Sequence, residues 1–174
     1  MIRNAIETFD WQSKITGIHL HHSVSPGHKH WKRSGSDAVV EAIRRAHVNG
    51  RGWSDIGYHA LVMPDGSVHK GRDWNRAPAS ALAHNGTGAA HPFAICMIGD
   101  LRPGFDPVLA SQMEGTALTI AALDDHFPEL DIKAHRDLQA TECPGLTDDQ
   151  IDSLIATAKT ISMFGWILPD EMWS

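Results

Sequence analysis

The feature that most constrains the fold is an uninterrupted apolar run at residues 93–98, which Gly99 and Asp100 end abruptly. A short strand that is apolar at every position has both faces buried, which is typical of an internal strand of a covered sheet. A core helix would need a longer run. The sequence therefore predicts a central strand here, with helices packed on both faces of its sheet.

Other segments predict the strands that surround this one. Apolar spacing predicts a buried strand at residues 15–22 and a short strand at residues 132–134. A Pro-Asp-Gly turn at residues 64–66 predicts a hairpin that joins residues 57–63 to residues 67–70.

Helical periodicity alternates with these strands. It predicts helices at residues 37–49, 107–127 and 147–160, the last with Thr147 as its N-cap. Two segments are expected to be irregular, namely residues 23–36 and 72–90. The alternation places the chain in the α/β class, with a mixed central β-sheet flanked by helices.

Composition restricts the class of protein. The 174 residues fit one domain, residues 1–174, with no separate binding domain expected. A formal charge of −6 disfavours a nucleic-acid binder, which needs excess Lys and Arg to neutralise phosphates. No apolar run reaches the ~20 residues of a membrane span, so membrane insertion is not expected. The first ten residues lack a signal-peptide pattern, which predicts synthesis in the cytoplasm.

The strongest local signal for chemistry is the segment at residues 135–145. It begins with His135 and contains Cys143 directly before a proline. Imidazole and thiolate are ligands that suit zinc. A third ligand is sought at the end of the first strand, where alternation puts His19 and His21 on one face and His22 on the other. Of these, His21 is nearest the strand's carboxyl end on the His19 face.

A structural interpretation of the same residues stays open at this point. A single histidine near a strand end is commonly a hydrogen-bonded structural residue, and a cysteine before proline is commonly buried. The long separation between His21 and His135 is no zinc signature by itself. If all three do bind, three protein ligands and an open position are the composition of a catalytic zinc site.

Four segments in order resemble the amidase-2 family, which contains phage lysozyme-type N-acetylmuramoyl-L-alanine amidases and animal peptidoglycan-recognition proteins. They are residues 18–23 with the His-His-Ser step, residues 52–75 with the Tyr58 hairpin, residues 83–86 with Ala-His-Asn-Gly, and residues 135–145. The resemblance runs from about residue 15 to residue 145. It implies a mixed sheet flanked by helices and one zinc ion per chain.

The resemblance also implies roles for individual residues. Zinc is expected on His21, His135 and Cys143. Tyr58 is expected close to the attacking water, and Thr141 is expected to stabilise the oxyanion. Many phage relatives carry Lys at the position of Thr141, so this chain departs from them there. Without the resemblance, Tyr58 would be taken as an interface aromatic and Thr141 as a turn residue.

Three further residues are predicted to bind substrate. His84 and Trp74 combine apolar contact with a polar tip, which suits a glycan-peptide groove, although packing in the surface or the core explains them equally well. Arg72 is a candidate partner for a peptide carboxylate, and a surface salt bridge is the alternative.

The resemblance implies hydrolysis of the amide bond between N-acetylmuramic acid and L-alanine in peptidoglycan. The chain is expected to act as a monomeric phage or prophage endolysin that reaches the wall through a membrane lesion. A cytosolic recycling amidase is the alternative setting, and that branch commonly has Asp where this chain has Cys143. A non-catalytic peptidoglycan-binding module and a structural zinc domain are the alternatives from other classes.

Overall fold

The structure is a computed structural model that describes residues 2–164. It contains a five-stranded sheet with the strands β1 (Lys14–His22), β2 (Ala60–Val62), β3 (Val68–Lys70), β4 (Ala90–Met97) and β5 (Asp131–Ala134). The strand order is β3-β2-β4-β1-β5. β1 pairs in parallel with β4 and β5, and β2 pairs in parallel with β4, whereas the β2–β3 hairpin is antiparallel. The predicted mixed sheet is therefore confirmed.

Helices cover the sheet on both faces. They are α1 (Ile2–Thr8), α2 (His28–Arg45), α3 (Ala110–His126), α4 (His135–Leu138) and α5 (Asp148–Phe164), and a π-helical turn (Ala46–Gly50) continues α2. α3 packs against both α1 and α5 on one face. On the other face, Val39 and Ile43 of α2 belong to a second, smaller core cluster. Among residues 2–164 the structure has no helix whose length and apolar character would suit a bilayer span.

The apolar run that predicts a central strand forms most of β4. Phe93, Ile95 and Met97 face the larger core, while Cys96 faces the smaller one, and all four are fully buried. Burial of such side chains contributes about 1.5–3 kcal/mol each to folding. The alternation of the two faces explains why every position in this run is apolar.

The prediction that residues 23–36 form a loop is wrong for its second half, because α2 begins at His28. The backbone N–H of His28 donates to the Asp106 carboxylate at 3.1 Å, so a residue 78 positions away satisfies the free amide of the first turn. Gly35, at φ +80°, interrupts α2 with a kink and separates it into two helical segments. The second segment matches the predicted helix at residues 37–49.

The other predicted helices and strands form, although α3 begins at Ala110 rather than at residue 107. Thr147 caps α5 as predicted: its Oγ1 accepts from the Gln150 N–H at 3.2 Å, and its own N–H donates to Gln150 Oε1 at 2.9 Å. Residues 71–89 are irregular, as expected. The short helix α1 was not predicted. It buries Ile6 in the larger core.

Candidate metal and active site

Two parallel strands bring the candidate ligands to one edge of the sheet. His21 lies near the end of β1, and His135 directly follows β5, whose Ala134 is in register with Leu20. The chain then turns back, since the Arg136 N–H donates to the Cys143 carbonyl at 2.8 Å. One ligating atom from each of His21, His135 and Cys143 lies within 4.8 Å of the others. Of the residues described, these three form the group that is suited to holding a metal ion.

Hydrogen bonds to the two histidine rings leave one nitrogen of each ring free for a metal. Ser80 Oγ lies 3.1 Å from His21 Nε2, and Gln139 Oε1 lies 2.8 Å from His135 Nε2. An amide oxygen only accepts, so His135 Nε2 carries the proton and its Nδ1 is the free ligand atom. Zinc-binding histidines characteristically donate their other N–H to an oxygen in this way.

The donor set and its surroundings fit zinc. Two imidazoles and one thiolate are zinc ligands, and three of them leave an open position. Burial lowers the pKa of His21 well below 6.5, so the ring is neutral, which is its ligating form. Burial raises the pKa of the Cys143 thiol to about 12, and a divalent cation reverses this by stabilising the thiolate. The backbone N–H of His22 also donates to the Cys143 sulfur at 3.3 Å.

Tyr58 lies beside this group. Its ring centroid is 5.1 Å from that of His21, and its side chain packs against the core cluster that contains Cys96, the residue opposite His21 in the β1–β4 register. Burial raises the pKa of Tyr58 above its usual value of 10, so the phenol stays protonated. The structure therefore places a neutral hydroxyl group near the predicted ligands.

Thr141 lies on the exposed loop before Cys143. Its Oγ1 accepts a hydrogen bond from the Cys143 backbone N–H at 3.2 Å, which is the turn contact typical of threonine. This bond uses an oxygen lone pair and leaves the hydroxyl proton free to donate. Both the turn role and the predicted donor role are compatible with this geometry.

Two further histidines, His84 and His19, differ in their exposure. His84 is exposed in the irregular segment, and its backbone N–H donates to the Ala81 carbonyl at 2.9 Å. His19 is 7% exposed. Burial, followed by the nearby positive charge of His84 and His135, lowers the pKa of His19 to about 4. The exposed position of His84 leaves its predicted contact with substrate open.

The structure corrects the substrate-binding prediction for Trp74 and Arg72. Trp74 is 4% exposed, stacks on Trp11, and donates from its indole N–H to the His59 carbonyl at 3.1 Å. Arg72 is 6% exposed. Its guanidinium donates to three backbone carbonyls, those of Ile56, Ala77 and Asp55. Both side chains are therefore used inside the protein, where they fix the irregular segment.

Three residues near the site were missed from the sequence. Ser80 and Gln139 hold the two histidine rings, and the buried Cys96 belongs to the core cluster against which Tyr58 packs. Ser80 and Gln139 carried a weak signal, since each is a polar residue close in sequence to a proposed site residue. Cys96 sits within an apolar strand and gave none.

The fold and the site together define an α/β protein with a group of three residues suited to a metal ion at the carboxyl ends of parallel strands. The family described as N-acetylmuramoyl-L-alanine amidase, Amidase_2, matches residues 11–146. The chain belongs to this family. The matched region begins before β1 and ends after Cys143, so it contains all three candidate ligands.

Relatives of this family are similar over most of the chain. Peptidoglycan-recognition protein SC1a of Drosophila melanogaster is 31% identical over 118 residues, which are 65% of this chain and 60% of that protein. The N-acetylmuramoyl-L-alanine amidase of Homo sapiens is 28% identical over 130 residues, 74% of this chain and 22% of that protein. The endolysin of Enterobacteria phage K11 is 28% identical over 118 residues, 64% of this chain and 73% of that protein.

This chain thus spans about a fifth of the human relative and three fifths of the fly relative. Among solved structures, N-acetylmuramoyl-L-alanine amidase LysC from Clostridium intestinale superposes with a TM-score of 0.68 at 25% identity. That superposition covers 87% of this chain and 94% of LysC.

Proposed function

We propose that this chain hydrolyses the amide bond between N-acetylmuramic acid and L-alanine in peptidoglycan, with one zinc ion per chain on His21, His135 and Cys143. The observation that carries the proposal is the convergence of these three ligating atoms within 4.8 Å in a member of the amidase family. A structural zinc site would use four protein ligands, whereas three leave a position for water.

The chemistry divides between the metal and the side chains around it. When bound, zinc lowers the pKa of water from about 15.7 to about 7 and polarises the scissile carbonyl. Tyr58, protonated beside His21, orients the attacking water or donates to the tetrahedral intermediate. Thr141 donates its free hydroxyl proton to the oxyanion, as a neutral donor without the charge of a lysine.

We assign one wall of the substrate groove to the exposed loop at residues 80–86, which carries His84, and call it the substrate wall. His84 is exposed, and Ser80 of the same loop lies 3.1 Å from His21 Nε2, which supports a contact between His84 and the glycan or the peptide stem. Peptidoglycan is the proposed partner. The similarity to a 31% identical relative, which is named a peptidoglycan-recognition protein, supports this choice of partner.

We place the activity in a phage or prophage endolysin, a monomer that acts on the cell wall after release through a membrane lesion. The similarity to the phage K11 endolysin supports this setting. Cys143 disfavours the recycling branch, which commonly has Asp at that position.

A second candidate function is recognition of peptidoglycan without cleavage, because several relatives carry the name of recognition proteins. Cys143 and Tyr58 favour cleavage. Recognition needs a groove and no metal ligands, whereas this chain keeps both a complete ligand set and a neutral hydroxyl beside it.

Mass spectrometry of purified peptidoglycan digested with the protein tests the proposal. Peptide stems with a new amino terminus on L-alanine, and no new reducing sugar ends, are the expected products. New reducing ends would make the enzyme a glycosidase. Tight binding to the wall without any released product would make it a recognition protein.

A further inference from the structure

The surface loop at residues 80–86 interacts with both candidate metal-binding histidines. It contacts His21 directly and His135 through the side chain of Gln139. Ser80 of this loop lies 3.1 Å from His21 Nε2, across 59 positions of sequence. The Leu82 carbonyl accepts from Gln139 Nε2 at 2.8 Å, across 57 positions. The other end of the same amide, Gln139 Oε1, accepts from His135 Nε2 at 2.8 Å. The Gln139 side chain therefore bridges a candidate metal ligand and the loop at residues 80–86.

The conformation of this loop depends on such polar contacts. Ala83 has φ +65°, a left-handed conformation that costs a non-glycine residue about 1–3 kcal/mol and persists only where its surroundings hold it. Leu82 is 80% exposed, so apolar burial does not hold the loop there. The contacts that do are the Gln139 bond, the Ala81 N–H to Asn85 Oδ1 at 2.9 Å, and the His84 N–H to the Ala81 carbonyl.

We propose that Gln139 and Ser80 are positioning residues that couple zinc ligation to the shape of the substrate wall. Each one orients a histidine ring so that its Nδ1 faces the metal, and each one belongs to or holds the loop that presents His84. The inference rests on the proposed function for the zinc ligands and for the identity of the wall, but not for the reaction. The coupling itself is a property of the ligands and the loop.

Coupling of this kind is reciprocal. If zinc fixes the ring of His135, it also fixes Gln139 and the Leu82 carbonyl, and the loop becomes more ordered. Zinc then strengthens the binding of any ligand that orders the loop, and that ligand strengthens zinc binding by the same factor. Metal-free protein is therefore expected to have a mobile substrate wall.

Two substitutions at Gln139 separate its two hydrogen bonds. Gln139→Glu keeps an oxygen that accepts from His135 Nε2 and loses the N–H that donates to Leu82. Gln139→Leu loses both. Gln12→Leu is the matched control. The Gln12 side chain is exposed and bonds to Asp10, not to a candidate ligand or to the loop at residues 80–86.

Two readouts are independent of catalysis: the zinc dissociation constant from chelator competition, and amide hydrogen exchange of Ala81 and His84. Gln139→Leu is expected to weaken zinc binding about ten- to a hundredfold and to speed loop exchange. Gln139→Glu is expected to keep zinc affinity within about threefold of wild type while the loop still exchanges faster. In the wild type, zinc is expected to slow this exchange about fivefold or more.

The proposal is overturned if zinc leaves loop exchange unchanged in the wild type, or if Gln139→Leu changes only one of the two readouts. Ser80→Ala tests the same coupling from the His21 side, and it too is expected to weaken zinc binding and speed loop exchange. Both readouts are made without substrate, so an absence of amidase activity would count against the proposed function and leave this coupling intact.

Discussion

The Nδ1 atom of His21 lies 3.7 Å from the Sγ atom of Cys143, although 122 positions separate the two residues in the sequence. Zinc–nitrogen and zinc–sulfur bonds of about 2.0–2.1 Å and 2.3 Å at a tetrahedral angle require a nitrogen–sulfur separation of about 3.6 Å. The two ligand atoms are therefore already spaced for one tetrahedral ion, and little rearrangement is needed on binding.

The first prediction concerns zinc content. The wild type is expected to contain one zinc ion per chain by elemental analysis, and Cys143→Ala is expected to lose it, because the thiolate is the one anionic ligand in the set. Cys96→Ala is the control, since this buried cysteine packs in the cluster beside Tyr58 and is not a member of the ligand group. Full zinc retention in Cys143→Ala would exclude the proposed ligand set.

The second prediction concerns Tyr58. Tyr58→Phe keeps the ring against His21 and removes the hydroxyl. We expect kcat to fall roughly a hundredfold, the effect of losing one donor to the transition state, while zinc content is unchanged. Steady-state kinetics on a soluble muramyl peptide, together with elemental analysis, measure both. Wild-type kcat would show that the phenol is only a packing group.

The third prediction concerns Thr141. Thr141→Val is expected to lower kcat about ten- to a hundredfold, because the lost donor is neutral and zinc shares the charge of the oxyanion. Thr141→Lys, which introduces the residue common in phage relatives, is expected to keep zinc and substantial activity. An inactive lysine variant that still binds zinc would mean that this loop points residue 141 elsewhere, and the role assigned to Thr141 would be abandoned.

The fourth prediction concerns pH and stability. Burial lowers the pKa of His47 from 6.5 to about 4, and its Nδ1 accepts the Gly57 N–H at 3.1 Å. Between pH 6.5 and 4 the unfolded chain binds a proton on this residue and the folded protein does not. Stability is therefore full above pH 6.5, falls by up to about 1.4 kcal/mol per pH unit as the pH drops, and levels off below 4.

His47→Asn isolates this contribution, because its Oδ1 can still accept from Gly57 and does not titrate. Denaturant unfolding at equal zinc concentration, from pH 7 to 4, is expected to show a shallower loss of stability in His47→Asn than in the wild type. Parallel curves would show that His47 titrates alike in the folded and unfolded states.

The sequence predicted the elements whose signals are local. The strand at residues 93–98 carries its own apolar run, and Thr147 carries its own cap, so neither depended on distant residues. The first turns of α2 could not be predicted, because the carboxylate that satisfies them belongs to Asp106. Trp74 was misassigned since an aromatic residue in a hairpin looks the same whether it faces a ligand or the core.

The candidate site likewise contains some residues that the sequence could indicate and others that it could not. His135 and Cys143 lie in one short segment and His21 lies near the end of β1, and the family resemblance joined them into one proposed ligand set, whose ligating atoms lie within 4.8 Å of one another. Ser80 and Gln139 could not, because their bonds to the histidine rings exist only once the irregular segment has packed against the strand ends.

Zinc-dependent release of the peptide from a soluble muramyl peptide tests the central claim most directly. The protein stripped with a chelator should release no peptide with a free L-alanine amino terminus. Stoichiometric zinc should restore release in the wild type and fail to restore it in Cys143→Ala. Undiminished release by the zinc-free wild type, with the stripping verified by elemental analysis, would contradict the account.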